Sequence, residues 1–257
     1  MRKLKENLLK SLIYLSAFFT VSMLVVIVGY IFIKGIGGVN LSFLTSDYSA
    51  DGSGGILPMI VTTVYTVILS IAIATPIGIL SAIYLQEYAK KGKIVNAIRF
   101  ATESLAGIPS IIYGLFGGIF FVVVLGLKYS ILSGALTVAI IILPVIIRTT
   151  EEALKTVPDG YREASLALGS TKFQTLYKVV LPSAIPGILS GVILSVGRVV
   201  GESAAILLTA GTVAQMPGGI FDSARSLTVH AYLLTKEKPA VRFGAIGLPP
   251  FSLARLL

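Results

Sequence analysis

Five apolar runs dominate this chain, each close to or longer than the roughly 20 residues a helix needs to cross a bilayer. They cover about Leu12–Ile33, Ile56–Tyr84, Ala101–Leu127, Ile131–Ile147 and Ser183–Ala210. Charged residues make up only 13% of the 257, against about 25% in a soluble domain. The expected fold is therefore all-α: a polytopic bundle of membrane helices with five clear spans. The stretch from Pro239 to Leu257 carries Arg242, Pro249-Pro250 and Arg255 and makes a poor sixth span.

The formal net charge of +9 could suggest a nucleic-acid partner, but the lysines and arginines sit in short clusters between the apolar runs. That is the pattern of membrane topology, not of a nucleic-acid surface. Four lie before the first span (Arg2, Lys3, Lys5, Lys10) and four after the second (Lys90, Lys91, Lys93, Arg99). Five more lie between Arg148 and Lys178, whereas the first two outer loops hold only Lys34 and Lys128. The positive-inside rule puts the N-terminus and the segment after the fourth span in the cytoplasm. The N-terminus has the look of a signal peptide. Its apolar stretch is about twice the usual length, and no small-residue cleavage site closes it, so a retained first span is expected. There is no cysteine, and the single histidine, His230, reads as an outer-loop residue; a metal centre built on either is not expected.

Several spans carry features that cost energy in lipid. Pro76 lies inside the second and is expected to kink it. Gly107, Pro109 and Gly114 interrupt the third, by close packing of small residues or as a hinge beside a pathway. Tyr113 is a candidate pore-side hydroxyl, and Glu103 reads as a carboxylate at the cytoplasmic edge. Arg198 and Glu202 fall in the middle to outer part of the fifth span. A charge at such a depth costs about 2.5–3.5 kcal/mol and must face protein or water. Spaced i, i+4, the two can pair on one helix face. They are either a satisfied structural pair or the lining of an anion path, since an arginine fork matches phosphate oxygens.

The polar segment Thr149–Gly187 interrupts this pattern. It reads as a short helix capped near Asp159, a turn at Gly169 where glycine tolerates positive φ, and a second helix stopped at Leu181-Pro182. A well-formed cytosolic helix pair between two spans is suited to touching a soluble partner.

The run Tyr161-Arg162-Glu163-Ala164-Ser165-Leu166-Ala167-Leu168-Gly169, followed by Leu181-Pro182, resembles the EAA loop of ABC importer permeases. Gly55-Ile-Leu-Pro58, Ala82-Ile-Tyr-Leu-Gln-Glu-Tyr88, Ala106-Gly-Ile-Pro-Ser-Ile-Ile-Tyr-Gly-Leu-Phe-Gly117 and Gly197-Arg-Val-Val-Gly-Glu202 resemble the phosphate importer permeases, most of all those of the PstA type. The resemblance covers about residues 10–235 and implies a type I, MetI-like permease domain spanning the chain. In it the core is about 56–238, the coupling loop is 149–187 and the tail 239–257 departs from the family's sixth span. It implies docking of Tyr161, Arg162, Glu163, Ala164, Ser165, Leu168 and Gly169 in a groove of an ATP-hydrolysing subunit. Arg198 and Glu202 would lie on the phosphate path. The implied partners are a second permease of the PstC type, an ATPase dimer of the PstB type and an extracytoplasmic phosphate-binding protein of the PstS type. ATP and magnesium would be bound by the ATPase, and no cofactor by this chain. Its location would be the cell membrane.

No Gly-x-x-x-x-Gly-Lys-Ser/Thr loop and no nucleophile–histidine–acid set occurs, so the chain is expected to be a non-catalytic subunit driven from outside. The alternatives are a permease for molybdate, tungstate or sulfate, an ATP-independent transporter or channel, or a membrane-anchored signalling subunit.

Overall fold

The computed structural model describes residues 2–49, 54–90 and 92–237. The tail from Pro239 onward, and with it the expected departure from the family, lies outside the described residues. One compact unit runs from Leu57 to Tyr232. Described residues before Leu57 and after Tyr232 fall outside it, where the sequence suggested one domain.

Before the compact unit, α1 (Arg2–Gly35) is a single long helix, apolar and largely exposed from Leu12 to Ile33. The glycine- and serine-rich stretch after it is more ordered than its composition suggests. A 3-10 turn at Ile36–Gly38 precedes α2 (Leu41–Thr45), whose N-terminus is capped by the Asn40 side chain accepting from the Phe43 N–H at 2.7 Å. The cap meets one of the orphan donors every helix start leaves.

In the compact unit, α3 (Leu57–Ile83) runs on through a π turn at Tyr84–Tyr88. It packs along α6 (Ile131–Thr156) and against α9 (Leu181–Gly201). Threonines and serines line the buried side of α3: Thr62, Thr63 and Thr66 return their hydroxyls to carbonyls of their own helix, and Ser70 donates across to Ala135 O at 3.0 Å. Small residues set the α6–α9 distance. A Cβ at Gly191 would collide with the Thr149 hydroxyl, and one at Gly187 would stand 2.6 Å from Ala153 Cβ. Without an expulsion of water to drive helices together in lipid, such close backbone approach is a main source of packing energy.

Three expected spans are corrected. The third is broken: α4 (Lys93–Ala106) and the segment Ser110–Val124, comprising α5 (Ser110–Gly117) and a π turn, meet at 99°. Pro109 lacks the N–H to continue α4 and pushes Ile108 out of helical conformation. The fourth span is longer than expected, because α6 carries Thr149–Thr156 of the polar segment as its last turns. The fifth begins at Lys172 and runs without a stop through Leu181-Pro182 to Gly201. Pro182 sits in the first turn of α9, directly after a π turn at Leu176–Val180 that changes the hydrogen-bond register. A proline there forfeits little, since first-turn N–H groups have no intrahelical partner. Four helices are long and apolar enough to cross a membrane, or five if the bent pair counts as one.

The outer connection is also shorter than expected. It ends at Ser226, and α11 (Leu227–Glu237) follows, its first N–H accepted by Thr63 Oγ1 at 3.0 Å. His230 is therefore a buried helical residue, 3% exposed, and not part of a loop.

Candidate functional site

Between α6 and the long helix from Lys172 stands α7 (Asp159–Ala167). No side chain caps it: Pro158 occupies the cap position, and Asp159 lies in the first turn, where it accepts from Arg162 at 3.1 Å. An acidic group there complements the positive end of the helix. Gly169 has φ +85, the left-handed conformation that ends a helix and that other residues adopt at a cost. The chain then restarts as α8 (Lys172–Thr175) through a reciprocal cap between Thr171 and Gln174.

The residues singled out in this helix divide into two sets. Arg162 and Ser165 turn inward. Ser165 Oγ bonds Thr175 Oγ1 at 2.9 Å, closing α7 onto α8. Arg162 donates to the carbonyls of Leu154 and Val157 at 2.8 and 2.7 Å, meeting acceptors that the end of α6 leaves without helical partners. It also pairs with Glu87 at 2.9 Å. Tyr161, Glu163, Ala164, Leu168 and Gly169 turn outward and are exposed. Leu168 is 88% exposed, an apolar side chain in open solvent at the tip of a firmly anchored helix. Phe173 and Tyr177, stacked at 6.4 Å, extend the apolar surface.

Arg198 stands near the far end of the helix that starts at Lys172, about 40 Å along its axis at 1.5 Å per residue. It is half-buried, and no hydrogen bond or ion pair reaches it from the described residues. The expected pairing with Glu202 is not formed. The helix ends at Gly201, and Glu202 takes an extended backbone (φ −72, ψ 131), so the two no longer share a face. Glu202 instead accepts the Ala205 N–H at the start of α10 (Ala204–Thr209), and its carbonyl accepts from Thr228 Oγ1 at 2.6 Å. Buried to 9% exposure, Glu202 joins α9, α10 and α11.

The breaks in the third span have separate causes. Gly107 and Pro109 form the bend itself. Gly114 is a packing site, where a Cβ would stand 2.9 Å from Ala205 Cα. The Tyr113 hydroxyl points back across the bend and donates to Leu105 O at 2.8 Å, a carbonyl released when α4 ends. A phenol committed to this bond is a staple of the bend. Tyr113→Phe is expected to leave that carbonyl unmet at a cost of about 1–3 kcal/mol. A lowered thermal unfolding midpoint of the detergent-solubilised protein would register it, and an unchanged midpoint would refute the staple. Glu103 is exposed and lines a cavity of about 200 Å³ with Arg99, Arg148 and Glu151.

Residues 74–236 match the family described as binding-protein-dependent transport system inner membrane component. The chain is 36% identical over 245 residues to a probable ABC transporter permease protein, YqgI, of Bacillus subtilis, covering 90% of this chain and 83% of the relative. It is 39% identical over 211 residues to the phosphate transport system permease protein PstA of Pasteurella multocida, covering 81% and 75%. The MetNI methionine ABC transporter, solved in an inward-facing conformation, shares the fold with a TM-score of 0.53 at 24% identity, over 70% of this chain and 77% of that one. A bundle of bilayer-length helices, a short exposed helix between two of them and this family match agree. The chain belongs to the binding-protein-dependent transport system inner membrane components and is a membrane permease of the type I ABC importer fold.

Proposed function

We propose that the chain is a permease subunit of an ATP-driven phosphate importer, coupled to an ATPase through the outward face of α7 and conducting the anion past Arg198. The observation that carries the coupling is the contrast within α7. Its inward residues are fully engaged with the bundle, while Tyr161, Ala164 and Leu168 present apolar surface to solvent. Exposed apolar side chains on a rigid support suit a protein groove, and the apolar centre of an interface commonly carries most of its energy. Phosphate as cargo is supported by the PstA relatives and by Arg198, a guanidinium at membrane depth without a partner among the described residues. Weak, reversible capture by such a group suits conduction, which needs release as well as binding.

The importer would comprise this chain, a second permease, an ATPase dimer holding ATP and magnesium, and an extracytoplasmic binding protein. The lysine and arginine clusters support a cytoplasmic N-terminus and a cytoplasmic α7. The deciding experiment is uptake by the complete complex in proteoliposomes, with labelled phosphate competed by molybdate, tungstate and sulfate. Phosphate uptake that needs both ATP and the binding protein, and that these anions compete weakly, is expected. Preferential uptake of another oxyanion would reassign the cargo. Uptake without ATP would overturn the coupling.

A further inference from the structure

The residue that links α7 to the rest of the bundle is Glu87, which no motif singles out. It sits in the π turn Tyr84–Tyr88 at the end of α3, 75 positions before its partner Arg162. The Arg162 Nη2–Glu87 Oε1 distance is 2.9 Å, and the two side chains are only 18% and 19% exposed. The same guanidinium holds the last carbonyls of α6 through Leu154 and Val157. One arginine on α7 thus ties together the ends of α6 and α3.

The two ties differ in kind. α7 is joined to α6 by the chain itself, only Val157 and Pro158 intervening, and would follow it without Arg162. It has no covalent route to α3 shorter than the chain between residues 88 and 159. The charge-assisted pair is the direct polar contact from α7 to α3 among the described residues. A cavity of about 190 Å³ lies beside the pair, lined by Glu87, Arg162, Leu166 and Lys172 among others. That side is therefore not filled by packing that could transmit force in place of the pair. α3 is the helix that packs along both α6 and α9, so a displacement passed to it reaches the centre of the bundle.

We propose that the Glu87–Arg162 pair is a strut that passes movement of α7 to α3, making both positioning residues of the transport cycle and removing Arg162 from the surface that meets the ATPase. The inference rests on the coupling role proposed above. It separates α7 into a docking face and a transmitting face. A short ion pair with both groups mostly shielded from water is stiffer and less screened than a surface pair, which is what a transmitting contact requires.

The test uses the complete importer in proteoliposomes and reads three quantities: ATPase retained on purification through this chain, ATP hydrolysed, and phosphate taken up. Glu87→Gln is expected to keep ATPase association and hydrolysis while uptake per ATP falls by about tenfold, within the usual range of coupling between sites. Glu87→Asp, which keeps the charge, should recover part of the loss. Arg162→Met should lower uptake per ATP as well, and combining it with Glu87→Gln should add nothing, as for two partners of one interaction. Wild-type uptake per ATP in Glu87→Gln, or effects of the two changes that multiply, overturns the strut. Loss of ATPase association in Glu87→Gln also overturns it, because Glu87 would then belong to docking. Uptake by the unmodified complex that ignores the ATPase would refute the coupling role and the strut with it, and the unmodified arm distinguishes that case.

Discussion

Arg198→Gln reduces phosphate uptake by about a hundredfold or more while the permease still assembles with its ATPase: this is the largest effect expected. Hydrogen bonds to charged groups contribute about 1.5–3 kcal/mol each, and each 1.36 kcal/mol is a factor of ten in rate. A guanidinium meeting two phosphate oxygens supplies two such bonds, and glutamine reproduces neither the charge nor the fork. The reason to expect an intact protein is structural. Arg198 has no ion-pair or hydrogen-bond partner among the described residues, so its removal strands none of them. Losing a charge at membrane depth also lowers the cost of inserting the helix. Glu202 behaves in the opposite way. Glu202→Ala removes the acceptor for the Ala205 N–H and should lower thermal stability before it alters anion selectivity. Uptake by Arg198→Gln at the wild-type rate would remove this arginine from the phosphate path.

The second large effect is expected from Leu168→Asp. The side chain is 88% exposed and makes no contribution to the core, so the fold should survive. If α7 docks by its outward face, a charge replaces the apolar tip at the centre of that contact. Central apolar anchors commonly cost 2 kcal/mol or more when lost, about a thirtyfold weakening, and an unpaired buried carboxylate adds to it. The measurement is the amount of ATPase that copurifies with the permease, with uptake as the second reading. Ser165→Ala serves as the contrast. It loses only the 2.9 Å bond to Thr175 and is expected to loosen the α7–α8 corner without dissociating the ATPase. Full association of Leu168→Asp would place the docking surface elsewhere.

The parts of this structure that the sequence made legible are those written in local chemistry. The positions of the membrane helices followed from unbroken apolar runs, since bilayer thickness sets their length. The turn at Gly169 followed from glycine's access to positive φ, and φ is +85 there. The turn after the third span, at residues 126–129, was placed correctly, with Lys128 at φ +56. The bend of the third span was partly legible. Gly107-Ile-Pro109 marked an interruption, and the spacing of Lys93, Asn96, Arg99 and Glu103 along α4 was a signal for a helix with one polar side, which the apolar run after Ala101 obscured. Proline misled at Leu181-Pro182, because a sequence pattern cannot show that a π turn places the missing N–H at a register change.

The site shows the same division. Sequence picked out Arg162 and Glu163 together as members of one motif, yet one faces the bundle and the other faces solvent. Spacing placed Arg198 and Glu202 on one face, and the helix ended one residue too soon for them to meet. Glu87 had no local signal at all, because its meaning comes from a partner 75 residues away.

By itself, then, the sequence determined that the chain is an all-helical membrane protein, where its spans lie, and that a polar helix with a glycine stop interrupts them. Solvent alone enforces these features, through the cost of exposing backbone and charge to lipid. Only the tertiary structure decided which charges pair, which face of α7 is free, and that α3 and α6 are joined at Arg162. Those outcomes depend on the approach of segments distant in the chain, and hydrogen bonds formed over 2.7–2.9 Å are set by packing, not by residue spacing.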